Sequence, residues 1–414
     1  MSGRPLGNGA VKVSGRRIEK VGRWRDFSSA ERNRVTDLGD AVIMPGLVNA
    51  HCHLDYTHMA GQFPPPKVFT DWLKVITSTK AGWGMADYVA SWRAGADMLL
   101  RTGTTTVADI EAVPQLLPEI WAATPLRVLS FLEMIGITAR RPASLVLQEA
   151  LDKMASLGRA SSRVGLSPHA PYSTLPELLR RCAQAARRRR GLVSTHVAES
   201  ALEFAMFTRA QGEMFDWLSR SGRDMSDCGA GSPVQHLERC GLLGENLLAA
   251  HVNYLRPGDA TLLARRGVSV VHCPRTHIYF HHDSLPLRRL ARARVNLCLG
   301  TDSLASVCQS RRHPAQLSLF EEMRALANLE PWFSARRILE MATLNGARAL
   351  RMADRVGRLA PGAMADLIAV PLVGRAGSLY ENVLRHHGNV AASMIGGRWV
   401  IAPRDVPPTR DAHE

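Results

Sequence analysis

Between residues 46 and 327 the chain repeats one pattern, in which a short β-rich apolar run is followed by a longer segment with helical periodicity. Eight such runs occur: GLVNAHCH (46–53), TTTVADI (104–110), RVLSFLEMI (127–135), RVGLSPHA (163–170), GLVSTHVAES (191–200), LLAAHVNYL (247–255), VSVVHCPRTH (268–277) and VNLCLGTDS (295–303). Strands alternating with helices in this way assemble as βα units around a parallel sheet, and eight of them close into a barrel. Helical segments such as YVASWRAGADMLLRTG and LPELLRRCAQAARRRRG end on glycine, the residue that most readily reverses a chain at a helix end. The predicted class is therefore α/β, a (β/α)8 TIM-like barrel over residues 46–350.

The ends of the chain read differently. Residues 1–45, with GAVKVSGRRIEKVG, and residues 351–414, with VGRLAPGAMADLIAVPL and VAASMIGGRWVIAP, alternate in hydropathy and carry turn signals. These two parts are expected to pair into one small β-sandwich domain. ARRILEMATLNGARAL (335–350) reads as a single helix before it, and the tail RDVPPTRDAHE as loose chain.

Composition narrows the function. With 46% hydrophobic residues among 414, the chain can bury a core without disulfides, and its seven scattered cysteines lack the spacing of a zinc ribbon or a secreted framework. No stretch reaches about 18 apolar residues, and the first residues lack an apolar signal core. A cytoplasmic protein with no membrane partner is expected. The net charge of +15 is densest at Arg187–Arg190, yet no interleaved aromatics accompany it. That cluster reads as the solvated end of a helix, where positive charge suits the dipole, so no nucleic-acid partner is predicted.

The runs share a chemical property as well. Polar residues gather at their C-terminal ends: His51 and His53, Asp109, Glu133, His169, His196 with Glu199, His251, His272 and Asp302. Active sites of such barrels lie on that face. Alternating side chains on a strand put His51 and His53 on one side, with Cys52 opposite and read as packing. Zinc and iron accept imidazole and carboxylate donors, and His196 and Asp302 supply the remaining donor types. Taken alone, His196 also reads as a satisfied core histidine, and Asp302 as a turn cap.

In order along the chain, PGLVNAHCHLD, SPHAPYS, STHVAES, AAHVNYL, VVHCPRTH and LGTDSLAS resemble the amidohydrolase superfamily, in particular its mononuclear aminohydrolases. These include cytosine, guanine and S-adenosylhomocysteine deaminases. The resemblance implies one divalent ion, zinc ahead of iron, held by His51, His53, His196 and Asp302. It implies that Glu199 shuttles protons, that His251 assists, and that Asp302 doubles as proton acceptor. A hydroxide formed at the ion would displace an exocyclic amine as ammonia. Binuclear relatives use a lysine on the fourth strand; RVGLSPHA has none, and no lysine follows Lys153.

The same resemblance implies substrate contacts from His169, from Arg140 and Arg141 after the third strand, and from Trp72 as the aromatic wall of a lid over PPPKVFTDWLKVITSTKAGWG. Lys80 stands near the lid's end, where S-adenosylhomocysteine deaminases carry a ribose-binding glutamate. Arg275 and His277 replace smaller neutral groups of the usual HCPxSN run. Such cations suggest a small-molecule substrate with an anionic or polar tail, as in aminodeoxyfutalosine; S-adenosylhomocysteine and 5′-methylthioadenosine are the others of that class. A guanine- or triazine-type aminohydrolase or a chlorohydrolase would use the same site, and a non-catalytic barrel is the remaining alternative. The chain is compatible with a homodimer.

Overall fold

The computed structural model describes residues 4–33, 35–283, 285–309, 314–372 and 378–403, so the tail from residue 404 lies outside the described residues. Among these there are fourteen strands, in chain order β1 (Gly9–Ser14), β2 (Arg17–Arg23), β3 (Ala41–Pro45), β4 (Leu47–Cys52), β5 (Thr104–Glu111), β6 (Arg127–Met134) and β7 (Val164–Pro168). There follow β8 (Val193–Val197), β9 (Leu247–His251), β10 (Ser269–His272), β11 (Asn296–Leu299), β12 (Leu367–Pro371), β13 (Ala392–Ile395) and β14 (Arg398–Ile401). The eight predicted runs are β4 to β11, paired side by side in chain order. His51, His196, His251 and His272 occupy the last one or two positions of their strands, whereas His53, His169, Glu199 and Asp302 fall in the segments just beyond, all at the C-terminal face.

The barrel closes where β11 meets β4. Cys52 bridges Asp302 in parallel, with the Asp302 N–H donating to the His51 carbonyl (3.1 Å) and the His53 N–H to the Asp302 carbonyl (3.3 Å). Asn49 stitches the same seam, its Nδ2 donating to Thr301 Oγ1 at 2.7 Å while its Oδ1 accepts from Thr301 N at 3.1 Å. Gly300 permits this approach, since a Cβ there would fall 2.7 Å from the His51 carbonyl oxygen. Inside, Val48, Ala50, Ala108, Ile110, Phe131, Leu248, Val271 and Cys298 form one buried cluster from six strands, the packed layer a closed barrel needs.

The chain ends do meet. β3 pairs antiparallel with β12 from Pro45↔Leu367 to Ala41↔Pro371, inside a four-stranded sheet ordered β14-β13-β12-β3. The β1–β2 hairpin lays Ile18, Val11, Val13 and Val21 against Ala363, Ala365, Leu367 and Met394, giving two layers with an apolar filling. This is the expected β-sandwich.

Two helix expectations are corrected. Residues 335–350 form two helices, Ala335–Met341 and Leu344–Ala349. Thr343 breaks the turn between them at φ −134, ψ −96, and Asn345 Nδ2 donates to the Leu297 carbonyl at 2.9 Å. The helix Pro176–Arg189 ends on Arg190 in the left-handed conformation (φ 53), one residue before the glycine expected to stop it. Among the described residues no helix is long and apolar enough to cross a membrane.

Candidate metal centre and active site

Simple alternation does not by itself aim His51 and His53 inward. Val48 and Ala50 belong to the inner layer, which would point His51 out and Cys52 in. The register of β4 on β5 slips between Asn49 and Cys52, and a slip of this kind re-aims the side chains beyond it. Cys52 accordingly packs among the outer core residues, fully buried. The two imidazoles come together with ring centroids 5.1 Å apart.

Side chains from the first, fifth, sixth and last barrel strands converge on one hollow. Donor atoms of His51, His196, His251 and Asp302 all lie within 4.8 Å of one another, and all four residues are buried. His53 shares the hollow: its Nε2 is 3.3 Å from His196 Nε2 and 3.6 Å from Asp302 Oδ1, the latter also 3.6 Å from His51 Nε2. Glu199 Oε1 stands 3.7 Å from His251 Nε2. His169 adjoins, its ring 4.7 Å from that of His196 and its Nδ1 2.6 Å from Ser173 Oγ.

Backbone geometry holds these groups in place. Ala198, His251, Val252 and Asp302 all have positive φ (49, 69, 53 and 52), a conformation that costs about 1 kcal/mol or more for a residue with a Cβ and concentrates at functional sites. Asn253 Nδ2 donates to the Glu199 carbonyl at 2.9 Å, and Glu203 Oε2 accepts from the Glu199 N–H at 2.8 Å.

The electrostatics suit a cation. Burial pushes the imidazoles of His53, His169 and His251 well below their usual range, and that of His196 to about 4, so these rings are neutral with free lone pairs. Burial alone would raise Asp302, but the closeness of His51, His251 and His53 outweighs it and holds the carboxylate ionised. Burial pushes Glu199 well above the carboxylate range, reinforced by Asp302 and Glu203. Both ring nitrogens of His51, Nδ1 of His53 and Nε2 of His251 are buried without a hydrogen-bond partner. Such orphaned groups are costly unless something binds them, and a divalent ion fits this set of imidazole nitrogens and one carboxylate.

Not every sequence candidate reaches the hollow. Arg275 is committed elsewhere: its Nε donates to Glu322 Oε1 at 2.5 Å, its N–H to Glu322 Oε2 at 2.9 Å and an Nη to the Gln316 carbonyl at 2.8 Å. Glu322 is wholly buried, so this arginine neutralises it rather than meeting a substrate. Arg140 is exposed, and Arg141, also exposed, grips both Glu149 oxygens at 2.6 Å. His277 is buried and bonds Asn253 Oδ1 through Nδ1 at 3.2 Å, which supports Glu199 through Asn253. Trp72 does reach the site's rim, its Nε1 donating to the Ala305 carbonyl three residues beyond Asp302 and its ring packing on Phe69 and Phe280. Asp109 faces outward, accepting from Trp92 Nε1 (2.8 Å) and Leu54 N (3.1 Å).

Sequence reasoning missed Tyr56, whose ring stacks on His53 at 5.2 Å, and its link to the lid. Lys80 on the lid helix Phe69–Ala81 hydrogen-bonds Tyr56 Oη and lies 3.9 Å from Glu133 Oε2. The signal was present in the lysine near the lid's end and the acid at the third strand's end, but pairing them needs the folded lid.

A closed eight-stranded barrel with buried histidines, an aspartate and a buried glutamate on its C-terminal face defines a hydrolytic (β/α)8 protein. The Amidohydrolase family pattern matches residues 42–400, and the chain belongs to that family. It is 32% identical over 394 residues to a 5-methylthioadenosine/S-adenosylhomocysteine deaminase of Syntrophobacter fumaroxidans, covering 89% of this chain and 81% of the relative. It is 29% identical to a 5′-deoxyadenosine deaminase of Methanoregula boonei, covering 91% and 83%. Among solved structures, an adenosine deaminase from Xanthomonas campestris with bound zinc superposes with a TM-score of 0.79 at 27% identity, covering 97% of this chain and 90% of that one.

Proposed function

We propose that this chain is a hydrolytic deaminase of a 5′-modified adenine nucleoside, converting the amine to the oxo form and releasing ammonia. The observation that carries the reading is Glu199, buried, 3.7 Å from His251 and with its carboxyl pushed well above the usual range, beside a hollow of buried imidazoles and one carboxylate. We assign His51, His53, His196 and Asp302 as the groups that would hold one divalent ion, zinc by analogy with the zinc-containing relative. Bound there, such an ion would lower the pKa of neighbouring water towards about 7.

The residues divide the remaining work. Glu199, holding a proton, gives it to the purine ring nitrogen beside the reacting carbon and takes one up from the attacking water. Asp302 Oδ2 stands ready for the second proton, which leaves with the amine as ammonia. His251 donates to the oxygen as it adds to the ring. His169, at the rim, hydrogen-bonds the base. The nucleoside's 5′ substituent meets the Phe69, Trp72 and Phe280 wall.

The tail is better read as apolar or small than as a carboxylate. Two of the three arginines expected to meet an anion are committed to Glu322 and Glu149, whereas the wall against the lid is aromatic. This favours 5′-methylthioadenosine and 5′-deoxyadenosine over aminodeoxyfutalosine. The test is ammonia release from those three nucleosides and from S-adenosylhomocysteine. Higher kcat/KM for the first two supports the reading; a preference for aminodeoxyfutalosine overturns the assignment of the tail, and no release from any overturns the function.

A further inference from the structure

At the opposite end of the barrel, under the N-terminal ends of β6, β7 and β8, lies a groove of about 1730 Å³ walled on its far side by the sandwich hairpin β13–β14. Nine arginines line it against a single carboxylate, Asp97. They come from separate places along the chain: the ends of the Met85–Arg101 and Pro176–Arg189 helices, the starts of β6 and β7, the segment after residue 350, and the two hairpins. Such convergence is a property of the fold, not of one basic stretch.

These cations are not neutralised within the protein. Among the described residues only Arg127 of the nine has a carboxylate partner, Asp366 at 2.7 Å, and its Nε is buried with no hydrogen-bond acceptor. Arg163 lies part-buried over the Trp121 ring at 4.3 Å, and burial together with the charge of Arg127 lowers its pKa. Arg351 donates to the Arg190 carbonyl, both residues at positive φ (55 and 53). Packing like charges around one hollow costs folding energy that a bound anion would return.

We propose that this groove is a binding site for a compact chain of phosphates, carried as inorganic polyphosphate or on a nucleotide. Guanidinium groups pair with phosphate oxygens in bidentate fashion, and a chain of phosphates offers several such forks within a short span. The arginines surround a hollow instead of marking a stripe, which fits a short anion better than a nucleic-acid backbone. Free aromatic platforms for bases are also wanting, because Trp121 is covered by Arg163 and Trp399 packs into the sandwich core. The volume exceeds that of an ordinary small-molecule pocket, so the ligand would keep part of its water.

The test titrates the full chain calorimetrically with tripolyphosphate, with ATP and with a single-stranded oligonucleotide at about 0.15 M salt, where exposed charges are largely screened. A triple variant, Arg16→Gln, Arg355→Gln and Arg398→Gln, removes three exposed groove cations remote from the histidine hollow. Saturable one-to-one binding of tripolyphosphate or ATP is expected, weakened at least tenfold in the variant, with ammonia release unchanged. Should the triple variant fold poorly, Arg355→Gln alone is expected to show part of the loss. No saturable binding, equal affinity in the variants, or binding confined to oligonucleotides and tightening with their length overturns the proposal.

Discussion

His196 donates its Nδ1 proton to the carbonyl oxygen of His169 across 2.8 Å. A carbonyl can only accept, so the bond fixes the tautomer and leaves the Nε2 lone pair of His196 turned to His53 and Asp302. Second partners of this kind raise ligand basicity and orient the ring. Replacing His196 by Ala removes one donor and its orientation together. A loss of about 4 kcal/mol in transition-state stabilisation, or roughly 10³-fold in kcat/KM, is expected with loss of bound metal. Activity assay and elemental analysis of the same preparation check both.

Glu199→Gln keeps the shape of the side chain and removes the transferable proton. We expect kcat to fall by about 10² to 10⁴-fold, with metal content retained. If metal is lost as well, Glu199 is a ligand and the assignment of roles is wrong.

Glu203 gives a pH dependence of stability. Burial pushes its carboxyl from 4.5 up to about 8, against the lowering effect of the Glu199 and Ala198 N–H groups. A group whose pKa is raised on folding stabilises fully below its unfolded value, and that contribution disappears as pH rises through the folded one. Between about pH 4.5 and 8 the native protein should therefore lose stability relative to Glu203→Gln, which stays neutral. Melting curves across that range should show the variant gaining on the parent with rising pH and the gain levelling above 8; parallel curves would contradict it.

Lys80 ties the lid to the barrel. With Lys80→Ala, Glu133 loses the cation 3.9 Å away, and Asp55, whose two oxygens are already buried without partners, loses a favourable field. Destabilisation of about 1–3 kcal/mol is expected. Adding Glu133→Gln should recover part of it, and the coupling is read from a double-mutant cycle by denaturant unfolding.

The barrel was legible because its signals are local: strand and helix periods alternate along the chain, and polar groups sit at one end of each strand. The pairing of β3 with β12 was legible as two matching β-rich ends. What stayed hidden depends on contacts across the fold. The slip in β4 that turns His51 inward leaves no mark in PGLVNAHCH, since it is set by pairing with β5. Arg275 read as a substrate contact because Glu322, 47 residues away, has no apparent connection to it until the helix carrying Glu322 packs beside it. Asp109 looked like a member of the site, yet its position on β5 faces Trp92.

The central claim is that the histidine–aspartate hollow is the seat of metal-dependent deamination. It is tested most directly by stripping the protein with a chelator and following ammonia release from 5′-methylthioadenosine as zinc is returned. Activity should vanish and recover fully at one zinc per chain; undiminished ammonia release from metal-free protein would contradict it.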